Sequence, residues 1–553
     1  MVKRRCLFIK SARSAPDFSV FTFHFIKFAR SAPHFSPFTF HFSLFFPIFA
    51  RYVHKHRCEA KRMLEKLAKQ TAIYGISTIV VRFLNYLLTP YYTRIFDQGE
   101  YGIVTDIYAL IPFALVLLSM GMESSYFRFT TRAEEEGGDV AKKKGKVFAT
   151  TWGLTSLNAV IFFVAVVLFS APISRAMGAV YVAHREYVAI VAAIVMLDVF
   201  AMIPFSRLRE QGRAMHFVLL KALSVLLNVT LAIGFGIAGL YSTTFGVGWV
   251  LIANLIASAV TLVALLPSTD RVIPRIDIAL VRRIMVYSLP LLVSGIAGTA
   301  NEFIDRQMIK YLTPEATAMA ELGIYGAIVK IAVVMTLFTQ MYRLAAEPFF
   351  LAGFKKEEFK EANAASMKYF IIASMLIFLL ITLFSDMFAL IVGRSFREGI
   401  DILPIVLLSN VLAGVWFNLS FWYKREEKTK YAMSITFLGL AITVVLSFVL
   451  VPRMGYRGAA WVRLVAEAAM VVWSYLLCRR HYPIPYDLKR IGEYFAVGGA
   501  IYFVSTLFIA PLGGGVAIAG NILLFAVATL YAVWREKIDV KRLTKSIIGR
   551  FIR

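Results

Sequence analysis

Residues 70–110 read QTAIYGISTIVVRFLNYLLTPYYTRIFDQGEYGIVTDIYAL. From 71 to 95 the chain is apolar, interrupted by one charge at Arg82 before Arg94 ends the stretch. A second apolar stretch runs over 103–126. Each exceeds the about 20 residues that a helix needs to cross a bilayer core. Between them Asp97-Gln98-Gly99-Glu100 leaves room for a tight turn only. This predicts two antiparallel membrane helices joined by a short polar turn.

The same pattern continues outward from this pair. Further apolar stretches follow at 147–171, 187–206, 216–237, 243–266, 284–309 and 323–344. They continue at 366–384, 400–422, 431–451, 458–477, 492–511 and 515–534. The expectation is therefore fourteen transmembrane helices and an all-α polytopic membrane protein. Composition agrees: 59% of the 553 residues are hydrophobic and only 17% are charged, against about 25% in soluble domains. Mean hydropathy is +0.69. No gap between stretches is long enough for a soluble domain.

A net charge of +26 in a soluble protein would point to nucleic acid. Its distribution argues otherwise. With the N-terminus inside, the segments from Met63 that face the cytoplasm hold 35 Lys and Arg, and the outer segments hold eight. Those eight are Arg94, Arg175, Arg185, Lys310, Arg394, Arg397, Arg453 and Arg457. One missed helix would invert every later loop. The bias therefore supports fourteen spans with both ends cytoplasmic, and no nucleic-acid partner is expected.

Residues 1–62 stand apart. They carry 12 Lys and Arg, two acids and 13 Phe. The stretch 8–25, FIKSARSAPDFSVFTFHF, recurs as FIKFARSAPHFSPFTFHF over 25–42. Two copies cannot stack into a solenoid, and no clean apolar core precedes a cleavage site. We read the segment as a non-native or disordered extension ahead of a start at Met63. A basic, Phe-rich surface anchor is the alternative. Three cysteines and eight histidines, five of them before residue 57, provide no metal site or disulfide framework. No metal or cofactor is expected.

Charges inside the apolar stretches are costly and therefore candidates for function. Arg82 falls near the middle of the first span, with Asn85 and Thr89 on the same helical face. A guanidinium there matches the oxygens of a diphosphate. The structural alternative pairs Arg82 with Asp198, also at mid-depth. Glu302, Asp305 and Arg306 sit toward the outer end of the seventh span, with Glu302 and Arg306 spaced to pair. Lys330, read as a turn or two into the eighth span, would join them. These carboxylates, with Asp198, are candidates for ion coupling; a structural cluster is the alternative. Arg463 and Glu467 repeat the spacing and read as structural. Asp106 and Lys221 read as residues whose heads reach the interface. Pro112, Pro290 and Pro404 should kink their helices.

Glu100-Tyr101-Gly102-Ile103 before the second span is echoed by Glu321-Leu322-Gly323-Ile324 before the eighth, hinting at a duplication of six helices. With Arg82, Thr93-Arg94, the turn at 97–100 and Tyr101-Gly102, the stretch 70–110 resembles the opening of polysaccharide flippases. These belong to the multidrug/oligosaccharidyl-lipid/polysaccharide exporter superfamily. The resemblance covers about 490 residues when span count and orientation are included. It implies two six-helix lobes, over 63–275 and 276–480, around a central cavity. Over 481–553 it implies a C-terminal helix pair and a basic tail. It also implies alternating access and an isoprenoid-diphosphate-linked oligosaccharide as substrate, moved from the cytoplasmic to the outer leaflet of the plasma membrane. Arg82, Asn85, Arg306 and Lys330 would bind that substrate. Membrane lipids, and polysaccharide polymerase machinery, are the partners it implies.

No covalent chemistry is expected. A polymerase or ligase would need a large outer loop, and the longest here lie near 172–186 and 385–399. A cation-coupled exporter of small amphipathic molecules is the remaining alternative. N-terminal sequencing of natively expressed protein is expected to find Met63 first; a mature chain that keeps residues 1–62 overturns that reading.

Overall fold

A computed structural model describes residues 86, 88–270, 272–351, 356–426 and 428–537. Arg82 and Asn85 lie outside the described residues. Residues 65–525 form one compact unit and 1–64 with 526–553 another; of the second, only 526–537 are described, as the last turns of a helix.

The described residues are almost entirely helical and contain no strand. In lipid, backbone groups must find partners within their own segment, and the α-helix provides them. Helices α1 (Leu88–Ile95), α2 (Gln98–Ser119), α3 (Met122–Glu135) and α4 (Val140–Leu168) open the chain. Then come α5 (Arg185–Glu210), α6 (Ala214–Ile237), α7 (Gly248–Leu265) and α8 (Ile278–Leu312). Next are α9 (Glu315–Ile331), α10 (Val333–Leu351), α11 (Lys356–Leu383) and α12 (Leu403–Leu419). The last are α13 (Thr429–His481), α14 (Leu488–Val504) and α15 (Gly514–Arg535).

Among the described residues, 11 helices are long and apolar enough to cross a membrane, or 12 when α9 and the first part of α10 count as one bent span. The expected fourteen are not reached there, for two reasons. Most of the first expected span precedes residue 86. The expected spans 431–451 and 458–477 fall on a single helix, α13, of 53 residues. That is about twice a bilayer crossing. Its regularity fails at Gly455, with φ 56° and ψ −134°, so the chain turns there without a loop.

The turn at 97–100 forms as its residue types dictate. Asp97 accepts the Glu100 N–H at 2.8 Å, and the Glu100 carboxylate accepts the Asp97 N–H at 3.1 Å. This reciprocal cap satisfies two donors at the start of α2. Pro112 and Pro290 lie inside α2 and α8. Pro404 instead occupies the first turn of α12 after a 3-10 stretch, Arg394–Ile402. Its missing N–H has no helical partner there anyway, so it starts a helix rather than kinking one.

The repeated glycines meet. A Cβ on Gly102 of α2 would overlap the Met319 carbonyl of α9, and one on Gly323 would overlap the Gln98 carbonyl. Without a hydrophobic drive between helices in lipid, such small-residue contact is what binds them. At the opposite end, Met122, Tyr126, Phe148, Trp152 and Ile203 pack with Ile284 of α8. Helix α8 thus packs against the first-half helices near its start. Farther along, it packs against α13. Helix α14 lies against α11, and only 11% of the apolar window over Leu488–Leu512 is buried, against 56% for Arg185–Glu210. It is therefore peripheral.

Gly102→Ala and Gly323→Ala are each expected to cost about 1–3 kcal/mol by forcing the backbones apart. Gly499→Ala, where an added Cβ meets nothing within 4 Å, should leave stability equal or slightly higher. Thermal unfolding of the purified protein in detergent checks all three.

Candidate functional site

Three groups of polar side chains sit inside the apolar bundle. The first joins the two halves. Asp106, about two turns into α2, is 1% exposed. Its Oδ2 accepts the Lys310 ammonium at 2.6 Å and the Tyr181 hydroxyl at 2.7 Å. Its Oδ1 accepts the Gln307 amide at 2.8 Å. Lys310, on α8 and 7% exposed, also stands 4.7 Å above the Tyr181 ring. Neither charge reaches an interface, contrary to the expectation for Asp106. Lys310 is likewise no outer-loop cation but part of a buried pair. Three donors around one carboxylate offset the cost of burying it.

The second group lies in the second half. Asp305 of α8 is 3% exposed. Its Oδ2 accepts the Tyr325 hydroxyl at 2.9 Å and an Arg463 N–H at 3.4 Å. Arg463 also donates to the Asn410 side-chain oxygen at 3.3 Å, and the Asn410 amide donates to the Ala332 carbonyl at 3.4 Å. Arg306 lies 3.5 Å from Asp305. Arg306 thus stands beside its neighbour Asp305, and Arg463 reaches Asp305 and Asn410 on two other helices. The side chain of Glu302 lies outside the described residues.

Ala332 marks the break between α9 and α10, whose axes differ by 49°. Lys330 is in the last turn of α9. Because α9 starts at Glu315, Lys330 lies about 22 Å along the helix and about two turns past residue 323, where the apolar stretch begins. It is at the break, where its ammonium stands 4.7 Å over the ring of Tyr86. Tyr86 follows Arg82 by four residues.

The third group is in the first half. Asp198 of α5 accepts the Ser258 hydroxyl of α7 at 2.8 Å, and Asn254 donates to Tyr108 at 3.4 Å. Lys221 places its ammonium 4.2 Å over the Phe205 ring. At the end read as cytoplasmic, basic residues are held by acids: Lys144 by Glu210 at 2.5 Å, Arg207 by Asp270 at 2.7 Å, Lys146 by Asp277 at 2.6 Å. The hydrogen bond from Lys146, with backbone N–H bonds from Leu280 and Ala279, holds the Asp277 carboxyl below its ordinary range. No three metal-ligating side chains cluster among the described residues.

Sequence reasoning missed Gln307 and Tyr325, ordinary polar residues on long apolar helices, and Tyr181, which sits on the short helix Ala179–Ala183 in a segment read as an outer loop. Asp106 itself was the available signal: a carboxylate about two turns inside an apolar helix is costly wherever it points.

The family model described as Polysaccharide biosynthesis protein matches residues 67–354, just over half of the chain. No curated protein sequence matches. The fold is similar to "Lipid II flippase MurJ, inward closed conformation" with a TM-score of 0.64 and 14% identity, over 84% of this chain and 99% of that one. It is also similar to an inward-facing "multidrug resistance MATE family transporter of the MOP superfamily" at 0.61 and 16%, over 75% and 100%. A third similar structure, the MATE multidrug transporter DinF-BH, gives 0.56 and 16% over 76% and 96%. At these identities what is shared is the fold.

Lys310→Met is expected to destabilise the protein by about 3–5 kcal/mol, because it strands a buried carboxylate. Adding Asp106→Asn should recover most of that loss. Melting temperatures of the two single variants and the double variant form the cycle; strictly additive losses would show the pair to be uncoupled.

Proposed function

The chain belongs to the polysaccharide biosynthesis protein family, and from that premise we propose that it is a flippase for isoprenoid-diphosphate-linked oligosaccharide units. Lys330 carries the reading: it is a cation at the break of a membrane span, set over Tyr86 of the first span. Irregular backbone at membrane depth belongs where it lines a cavity, and a cation there suits a diphosphate. Arg82 precedes Tyr86 by one helical turn and would add a bidentate phosphate grip, with Asn85 beside it. Arg306 is the further cation.

In this reading residues 63–275 and 276–480 are two lobes that rock about a central cavity. The diphosphate enters from the cytoplasmic side, the sugar follows, and the lipid tail stays in the bilayer beside the peripheral pair after residue 481. The glycine contact between α2 and α9 and the Asp106–Lys310 pair close the outer end in the state described here. Asp198, Glu302 and Asp305 are the candidates for a coupling cation. The protein would act in the plasma membrane with both termini cytoplasmic, feeding polysaccharide polymerase machinery outside, as for lipopolysaccharide.

A cation-coupled exporter of amphipathic molecules is the second reading, favoured by the buried acids Asp198 and Asp305. Drug resistance on overexpression, without effect on polysaccharide, would establish it instead. The flippase reading expects surface repeat units to reappear when the gene is supplied to a strain lacking its own flippase. Arg82→Ala should abolish that rescue and Arg82→Lys retain part of it. Normal expression without rescue overturns the reading; both variants behaving as wild type removes Arg82 from it.

A further inference from the structure

A cavity of about 370 Å³ opens at the break in α13, at the end that the sequence places outside. This falls within the about 300–1,000 Å³ of small-molecule sites. Val451, Pro452 and Met454 give it an apolar floor, and Glu321, Arg453 and Arg457 supply its charges.

The cavity is built by the break itself. Gly455 takes a positive φ, and a Cβ there would overlap the Glu321 carboxylate. That carboxylate, from α9, accepts the freed Tyr456 N–H at 2.7 Å. Its second oxygen accepts no hydrogen bond among the described residues. Arg457 is held by Asp401 at 2.5 Å. Arg453 pairs with no carboxylate among the described residues.

Outer segments carry few cations, and four of the eight assigned there are already engaged. Arg94 donates to the Leu390 and Ile391 carbonyls. Lys310 is paired with Asp106, Arg397 donates to the Ala389 carbonyl, and Arg457 is paired with Asp401. Arg453 instead lines the cavity, facing an acceptor of opposite sign.

The pairing of charges weighs against a ligand of net charge. Glu321 disfavours a phosphate or a carboxylate, and Arg453 disfavours a metal cation. A neutral ring with hydroxyls at its edge and C–H groups on its face satisfies both charged groups and the apolar floor. We propose that this cavity binds a neutral pyranose residue of a carbohydrate. The proposal rests on the flippase reading only for the source of that sugar, a repeat unit that has crossed to the outer face.

The test uses the full chain in detergent and saturation-transfer NMR with the methyl pyranosides of glucose, galactose and N-acetylglucosamine. Transfer to at least one is expected. Its dissociation constant should rise about tenfold in Glu321→Gln and in Arg453→Gln, as for a lost hydrogen bond to a charged group. Arg453 is exposed, so that variant remains readable if Glu321→Gln is unstable. Inorganic phosphate should not compete. No transfer to any of the three probes, unchanged binding in Arg453→Gln, or competition by phosphate each overturns the site. Pyranoside binding without rescue in the flippase-deficient strain would support the cavity and overturn the flippase reading. Rescue without pyranoside binding would overturn the cavity alone.

Discussion

In a bundle made of apolar helices, no backbone or charged group can be left to water, and this constraint sets where the chain can depart from regular structure. At two breaks among the described residues, another helix supplies a substitute. At the bend after α9, the Ala332 carbonyl accepts the Asn410 amide from α12. At Gly455 the Tyr456 N–H is taken by Glu321 from α9. In each case the repairing side chain comes from a different helix. The breaks are therefore tertiary features, held open by neighbours, and the two polar groups they gather are the Lys330 region and the outer cavity.

The same constraint governs the buried charges. Asp106 and Asp305 lie on helices that touch, α2 and α8, and each is surrounded by donors from elsewhere in the chain. Lys310 reaches Asp106 across 204 residues and Arg463 reaches Asp305 across 158. Loss of a single partner would leave a charge in an apolar interior, costing more than any surface pair contributes. Asp106–Lys310 thus ties the two halves together, where glycines let the backbones of α2 and α9 touch, while Asp305–Arg463 ties α8 to α13 within the second half.

Hydropathy and charge bias made the helices legible, together with their order and the Asp97–Glu100 turn. They could not locate helix ends. Glu315, Thr317 and Glu321 precede the apolar stretch at 323–344, yet they form the start of α9, so the helix begins about two turns before its apolar part. Likewise Arg453 and Arg457 marked a loop where α13 turns at one glycine. The echo between Glu100–Ile103 and Glu321–Ile324 was legible as a repeat. That its two glycines are contact partners was not, because a repeat says nothing about which surfaces meet. Long-range partners such as Tyr181 and Tyr325 left no local signal at all.

The seal between the halves has a consequence for any cycle that opens it. Besides Asp106–Lys310, it includes the Gly393 N–H on the Thr93 hydroxyl at 3.0 Å, Arg94 on the carbonyls of Leu390 and Ile391, and Gln98 on the Ser395 carbonyl at 2.6 Å. Most of these use backbone carbonyls or hydroxyls near the end of the bundle, where water can replace them at small net cost. The Asp106–Lys310 pair differs, because separating it without new partners leaves two charges in an apolar interior. Opening therefore requires water, a cation or a substrate phosphate to enter as the pair parts. In the flippase cycle proposed above, that requirement would make the buried pair the step at which movement of the halves and entry of a charged species are coupled, while the surrounding polar contacts set how tightly the closed end is held.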